Sequence, residues 1–473
     1  MNKRAIGAVA GLALPAALML LQPFAGLGFE GTAVVAALLG AIVWWVTDVL
    51  PDYITAIVMS VAFVVLAGVP FEVVFSAFSS STWWLMVAAF CLGLGMQRSG
   101  LLKRLAHAVM RKFPRTFRGQ AAGLTLASVV SGPFIPSLTA KCAILTPLAL
   151  SISDQMGYER KSKQANGLFL AVFTNVRNLA PAVISASFVG YMVLGLMPAD
   201  LQAEFDLVHW FASALPWFEV VMVLNYIAIV WMHEPKEERL RGKAASLNVE
   251  PKLNPESASE DLGPMTGAEK RMLAIMSVTV LLWVLERWHG IPSSAVALAA
   301  VGAMVAAGQF RAEDIRDGGI AWDMILFMGV ALSLAAVFSY VGADEWVVAA
   351  CMPVLAAVAG NPYAVILGIV ALTIALRFVI VSEAAFINIF MVFAVPLAPQ
   401  LGVSPWIVGF VVYVMANPWF VAYQNLVYLA AVGSVSGKMT EHVGLARYCA
   451  VFLVICLIGL LVSVPYWQWM GLA

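Results

Sequence analysis

Eleven runs of this chain are apolar over close to the roughly 20 residues that an α-helix needs to cross hydrocarbon. They fall at about 5–22, 31–50, 53–69, 82–98, 165–197, 208–232, 270–288, 292–308, 320–341, 404–432 and 444–470. Hydrocarbon offers the backbone no hydrogen bonds, so runs of this length commit a chain to helices. An all-α integral membrane protein follows. Composition agrees: 62% of the 473 residues are hydrophobic and 11% are charged, whereas soluble domains carry roughly a quarter of their residues as charges. The amino end, MNKRAIGAVAGLALPAALMLL, has the look of a secretory signal. No A-x-A site follows closely and further spans begin at once, so it is read as a retained first span.

Two apolar stretches remain, 120–157 and 361–400. Basic residues orient them, because Lys and Arg collect in cytoplasmic loops. With the amino terminus inside, the inner loops hold 23 of the 27 Lys and Arg, seven of them in 98–118. Eleven crossings then place the carboxyl terminus on the extracytoplasmic side of a cell (inner) membrane. Residues 120–157 have Arg115 and Arg118 before them and Arg160, Lys161 and Lys163 after them. Both ends therefore lie inside. Gly132-Pro133 and Pro136 break the helix near its middle, within GPFIPSLTAKCAILTP, which favours a re-entrant hairpin over two spans.

A polar segment at 236–268 divides residues 1–235 from 269–473. The two parts echo each other. GVPFEVVFSAFSSSTWWLMVAAF (68–90) and GQFRAEDIRDGGIAWDMILFMGV (308–330) share a glycine, an acidic residue and a tryptophan that opens a span. Each is followed by a span and a long apolar stretch centred on a serine, Ser137 or Ser382. The loop at 98–118 is strongly basic and its counterpart at 342–360 carries no Lys or Arg. Opposite charge bias implies opposite topology, the inverted repeat of many secondary transporters.

Four charges interrupt apolar sequence: Lys141, Arg177, Arg377 and Glu383. Each costs roughly 2.5–3.5 kcal/mol at the centre of a span, so they must pair or line a wet cavity. Glu383 is expected to pair with Arg377, six residues away. Lys141 and Arg177 would then serve an anion of about two negative charges. Arg177 lies in NVRNLAP, where Asn175, Asn178 and Pro181 point to an interrupted helix. Asn417-Pro418 in MANPWFVAYQN breaks another span, and Gln424 and Asn425 add amides. Free helix amino ends attract anions, and free carbonyls coordinate cations. The plainer alternative is a set of buried ion pairs holding helices together, with Trp419 as a packing aromatic.

Chemistry of other kinds finds no support. The five cysteines all lie in apolar segments and read as buried small hydrophobes. The five histidines fall in loops or at span ends, and HExxH, GxSxG and paired aspartates are missing from the spans. Neither an enzyme nor a metal site is expected, and no nucleic-acid partner. An anion channel would call for a continuous charged ring or filter.

The stretches WWVTDVLPDYITAIVMSVAFVVLAGVPFEVVFSAFSSSTWWLMVAAFCLGLGMQRSGL, PFIPSLTAKCAILTPLA and AWDMILFMGVALSLAAVFSYVG, taken in order, resemble the divalent anion/sodium symporter family of di- and tricarboxylate transporters. The resemblance implies about eleven transmembrane helices and two re-entrant hairpins, one opening inward and one outward. It also implies a homodimer in which part of each protomer is scaffold while the hairpins and broken spans carry the anion by moving against it. It further implies Ser-Asn-Thr signatures at both tips, contacting substrate carboxylates and sodium. These map onto Ser137-Leu138-Thr139 and Ser382-Glu383-Ala384, with both asparagines replaced. The sodium-site carbonyls would lie near Asn175–Asn178 and Asn417–Trp419. The candidate substrate residues are thus Ser137, Thr139, Lys141, Arg177, Asn178, Ser382, Glu383 and Asn417. The ion-coupling candidates are Ser137, Asn175, Glu383 and Pro418. Lys141 and Glu383 predict weakened sodium dependence, with proton coupling or anion exchange in its place. Sulfonate and sulfate remain alternatives to a carboxylate.

Overall fold

The computed structural model describes residues 3–135, 137–236, 238, 263–309, 311, 313, 314, 320–380 and 382–473. Most of the polar segment at 236–268, and both Pro136 and Val381 at the hairpin tips, lie outside the described residues. All regular structure among the described residues is helical.

Eight of the eleven predicted runs become single helices, among them Lys3–Leu21, Gly28–Thr47, Leu207–His233, Trp322–Tyr340 and His442–Trp469, which are each long and apolar enough to cross a membrane alone, and a ninth, 270–288, is Gly267–Val284 followed after Leu285 by the short Glu286–His289. The other two runs are broken. Residues 165–197 form Lys163–Ala182 and Phe188–Gly195, and residues 404–432 form Pro405–Met415 and Leu426–Ser434. The first break falls at 183–187, not at Asn175–Asn178 as expected. A proline inside a helix removes one hydrogen bond, here the one that Arg177 O would accept, yet Lys163–Ala182 runs on through Pro181 and the helix breaks only after Ala182.

The two leftover stretches fold as helical hairpins. Phe117–Ser131 and Leu138–Gln155 form the first, with 15 and 18 residues. Pro362–Arg377 and Glu383–Ala394 form the second, with 16 and 12 residues. At 1.5 Å per residue these arms run about 18–27 Å, short of the roughly 30 Å hydrocarbon thickness. Gly132 is required at the first tip, because a Cβ there would stand 1.6 Å from Cδ2 of Leu179.

The broken spans form the centre. Every residue from Ala165 to Ala182 is buried, as is every residue of Pro405–Met415. By contrast, helix Lys3–Leu21 buries only Gly7 and Gly11 and leaves its apolar face outward. Trp210, Trp217, Trp406, Phe410 and Trp467 pack edge to face and in offset stacks, joining Leu207–His233, Pro405–Met415 and His442–Trp469. Helix Ser81–Ser99 turns by 66° at Gly100 (φ 78°) into Leu101–Met110.

Several basic residues of 98–118 are paired with carboxylates. Arg98 pairs with Asp314, Arg104 with Glu269 at 2.8 Å, and Arg118 with Glu234 at 2.5 Å. Glu238 accepts from the Phe117 amide at 2.8 Å and from the Tyr158 hydroxyl at 3.0 Å. Burial first, and then the nearby Glu238, push the Tyr158 phenol well up, so it stays a donor. The bonds of Phe117, Arg118 and Tyr158 fasten the base of the first hairpin to the chain just after Leu207–His233.

Candidate functional site

The second arm of each hairpin begins on a serine cap. Ser137 Oγ accepts from Ala140 N at 3.2 Å, and Ser382 Oγ accepts from Ala385 N at 3.4 Å. A cap of this kind satisfies one of the free amides at a helix start. The second piece of each broken span is capped as well: Ser187 Oγ accepts from Val189 N at 3.2 Å, and Asn425 Oδ1 from Tyr428 N at 3.0 Å.

A hairpin cation meets the carbonyl just before each of those latter caps. Lys141 Nζ donates to Ala186 O at 2.7 Å, and Arg377 donates to Gln424 O and, at 2.9 Å, to Ile380 O. Unwound backbone at membrane depth is tolerated only where its polar groups find partners, and these cations supply them. Ser185 Oγ donates to Pro133 O at 3.2 Å, closing the first hairpin onto the first break. Gln424 Oε1 accepts from Phe420 N and Val421 N, and His442 Nε2 stands 2.8 Å from Phe420 O, so the second break is held in the same manner.

The expected pairing of Glu383 with Arg377 is not what forms. Glu383 Oε2 accepts from Arg177 Nη1 at 2.9 Å, across 206 residues of sequence. The reason is the chain reversal: Arg377 ends the first arm and turns toward the carbonyls at 380 and 424, while Glu383 opens the second arm against Lys163–Ala182. Arg377 still lies within electrostatic reach of both Arg177 and Glu383. Cys142 lies within reach of both Lys141 and Arg177. Three cations and one carboxylate therefore share this region. Its formal charge stays at the expected +2, but the cation cancelled is Arg177, not Arg377.

Several buried polar atoms here have no partner among the described residues. They are Nε and Nη2 of Arg177, Oε1 of Glu383, both amide atoms of Asn178 and Oδ1 of Asn417. Buried polar groups are almost always bonded, so such a cluster marks a place where a polar ligand is expected. Asn417 Nδ2 donates to Arg177 O at 3.4 Å, joining the two broken spans.

The remaining candidates separate. Ser137 is half-buried and Thr139 is exposed at the first tip. Asn175 is committed elsewhere: Nδ2 donates to Thr125 Oγ1 and Ala171 O, and Oδ1 accepts from Asn225 at 3.0 Å. Asn225 also donates to Thr174 Oγ1 and accepts from Tyr448, completing a buried network. Pro418 lies in the unwound segment between Met415 and Leu426. Trp419 is a packing aromatic, buried against Phe173, Tyr428 and Phe452.

Two residues escaped the sequence reasoning. Asp52 Oδ2 accepts from Ser382 Oγ at 3.1 Å. Asn388, fully buried, has no partner for either amide atom among the described residues. The signal for Asn388 was an amide inside AAFINIFMV; for Asp52 it was a second aspartate beside Asp48 at the start of a span.

Residues 2–473 match the sodium:sulfate symporter transmembrane region. The chain belongs to this sodium:sulfate symporter family, the divalent anion/sodium symporters. As a member it is a multi-pass membrane transporter and not an enzyme. It is 24% identical over 346 residues to the inner membrane protein YbhI of Escherichia coli strain K12, an alignment covering 71% of this chain and 70% of YbhI. It is 25% identical to the chloroplastic dicarboxylate transporter 2 of Spinacia oleracea, covering 60% of this chain and 50% of that protein. It is also 25% identical to the putative malate transporter YflS of Bacillus subtilis strain 168, covering 57% and 56%. The alignments thus span only about half of the spinach and Bacillus transporters. Among solved structures, the YdaH transporter of Alcanivorax borkumensis superposes with a TM-score of 0.58 at 17% identity, over 85% of this chain and 88% of that one. That likeness concerns the fold.

Proposed function

We propose that this family member is a secondary active transporter of small divalent organic anions, of the dicarboxylate class, in a cell (inner) membrane. The arrangement that carries the proposal is the paired one. Two serine-capped hairpins dock on two broken spans, with Lys141, Arg177 and Arg377 buried among unpartnered amides. Helix amino ends and cations attract carboxylates, and breaks at matching places in the two halves suit alternating access. The similarity to the spinach dicarboxylate transporter and to YflS supports the same substrate class.

The finer parts of this reading are as follows. Residues 1–235 and 269–473 are inverted repeats joined by a cytoplasmic linker, and two copies form a homodimer. The amino terminus is cytoplasmic and the carboxyl terminus extracytoplasmic. The hairpins and broken spans shift as a unit against the rest, the elevator type of motion. Ser137, Thr139, Lys141, Arg177, Asn178, Ser382, Glu383 and Asn417 surround the anion. The Lys141 ammonium occupies the neighbourhood where the family resemblance places a sodium ion, so flux depends weakly on sodium and is coupled to protons or to a counter-anion.

Purified protein in proteoliposomes tests this with radiolabelled succinate, with and without sodium and at two pH values. Saturable uptake, blocked by unlabelled dicarboxylate and little by sulfate, is expected. Uptake that needs two sodium ions per substrate contradicts the coupling. Non-saturating flux would indicate a channel, and preference for sulfate would replace the substrate class.

A further inference from the structure

Arg177 and Glu383 form an unusual pair for a buried site. The strongest guanidinium–carboxylate contacts are bidentate, two parallel bonds in one plane. Here a single bond forms, from Nη1 to Oε2, and leaves Nε, Nη2 and Oε1 without partners among the described residues. The two side chains are also unequally placed. Arg177 is 1% exposed and Glu383 is 17% exposed. A carboxylate arriving from water thus meets Glu383 before it meets Arg177. Beside them, Asn178 and the Asn417 Oδ1 present further unbonded polar atoms. A displaced Glu383 has a second cation within electrostatic reach, Arg377.

We infer that Glu383 is a tethered counter-ion that holds the place of one substrate carboxylate on Arg177. An incoming dicarboxylate takes the free Nε–Nη2 edge of the guanidinium, offers two oxygens where Glu383 offers one, and releases Glu383 toward Arg377. When the anion leaves, Glu383 returns. The energetic point concerns the unloaded carrier. A buried cation that loses its partner is heavily penalised, so a site without its own carboxylate could reorient only when loaded. With Glu383 covering Arg177, the unloaded carrier also reorients, so of the two couplings left open above this inference selects net, proton-coupled transport over obligatory one-for-one exchange with a counter-anion. This inference rests on the reading of Arg177 as a substrate ligand.

The test compares two fluxes in the same proteoliposomes: uptake of radiolabelled succinate into vesicles free of internal anion, and into vesicles loaded with unlabelled succinate. Wild type is expected to do both. Glu383→Gln removes the counter-ion while keeping the side-chain shape. It should lower the ratio of net uptake to exchange at least about tenfold and bind succinate several-fold more tightly in detergent, since the internal competitor is gone. Glu383→Asp, which keeps the charge, should preserve a ratio of net uptake to exchange much closer to wild type and guards against loss through misfolding. A ratio of net uptake to exchange undiminished in Glu383→Gln, or weaker succinate binding in it, overturns the inference while leaving the substrate class intact. Wild-type protein that neither exchanges nor accumulates succinate overturns the underlying reading as well.

Discussion

Asn417 donates its side-chain amide to the main-chain carbonyl of Arg177, 240 residues earlier, at 3.4 Å. That carbonyl is available because Pro181 stands four residues on and has no N–H to give it. The proline of one broken span thereby creates the acceptor that the asparagine of the other uses. The bond fixes the two halves against each other beside the Arg177–Glu383 pair.

Pro181→Ala restores a helical donor to Arg177 O and takes the acceptor from Asn417. The helix should gain, so the melting temperature in detergent stays level or rises, while succinate uptake drops severalfold. Uptake equal to wild type would show that this cross-span bond does not shape the site.

Lys141→Met keeps much of the side-chain volume but leaves Ala186 O without its donor and removes one buried positive charge. An orphaned buried acceptor costs about 1–3 kcal/mol, so a modest fall in thermal stability accompanies a much larger loss of anion binding. Size-exclusion and thermal-unfolding profiles separate the two effects. Wild-type succinate affinity in a folded Lys141→Met protein removes Lys141 from the site.

Asn175→Ala breaks the Thr125–Asn175–Asn225 network, leaving the Asn225 and Thr125 side chains short of partners. Stability falls by about 1–3 kcal/mol for each buried group orphaned, and the sodium and pH dependence of uptake is unchanged. A shift in ion dependence would return Asn175 to the coupling machinery.

Asp52→Ala removes the acceptor for the Ser382 hydroxyl, the contact from helix Asp52–Leu66 to the second hairpin tip. Hydrogen bonds to charged groups contribute about 1.5–3 kcal/mol. If the hairpin moves against that helix, breaking this bond is part of the barrier, and exchange turnover rises up to about tenfold while KM changes little. A rise in KM with unchanged turnover would instead make Asp52 a substrate-positioning residue.

The sequence by itself determined the helical class, the hairpins and the anomalous charges. Apolar run length is a one-dimensional property, and so is the pairing of basic flanks around 120–157. Prolines and glycines mark breaks locally, which is why the tip at Gly132 and the break after Met415 were legible. Tertiary structure decided who meets whom. Arg377 and Glu383 are six residues apart, yet the reversal between them sends Arg377 to Gln424 O and Glu383 to Arg177. Asn175 and Asn178 lie three residues apart on one helix, yet Asn175 joins a saturated network while both amide atoms of Asn178 are left without a partner among the described residues. Asp52 gained its role only when the second hairpin came to rest on it. Hydrogen-bond partners at membrane depth depend on distance and direction in space, which no pattern along the chain encodes.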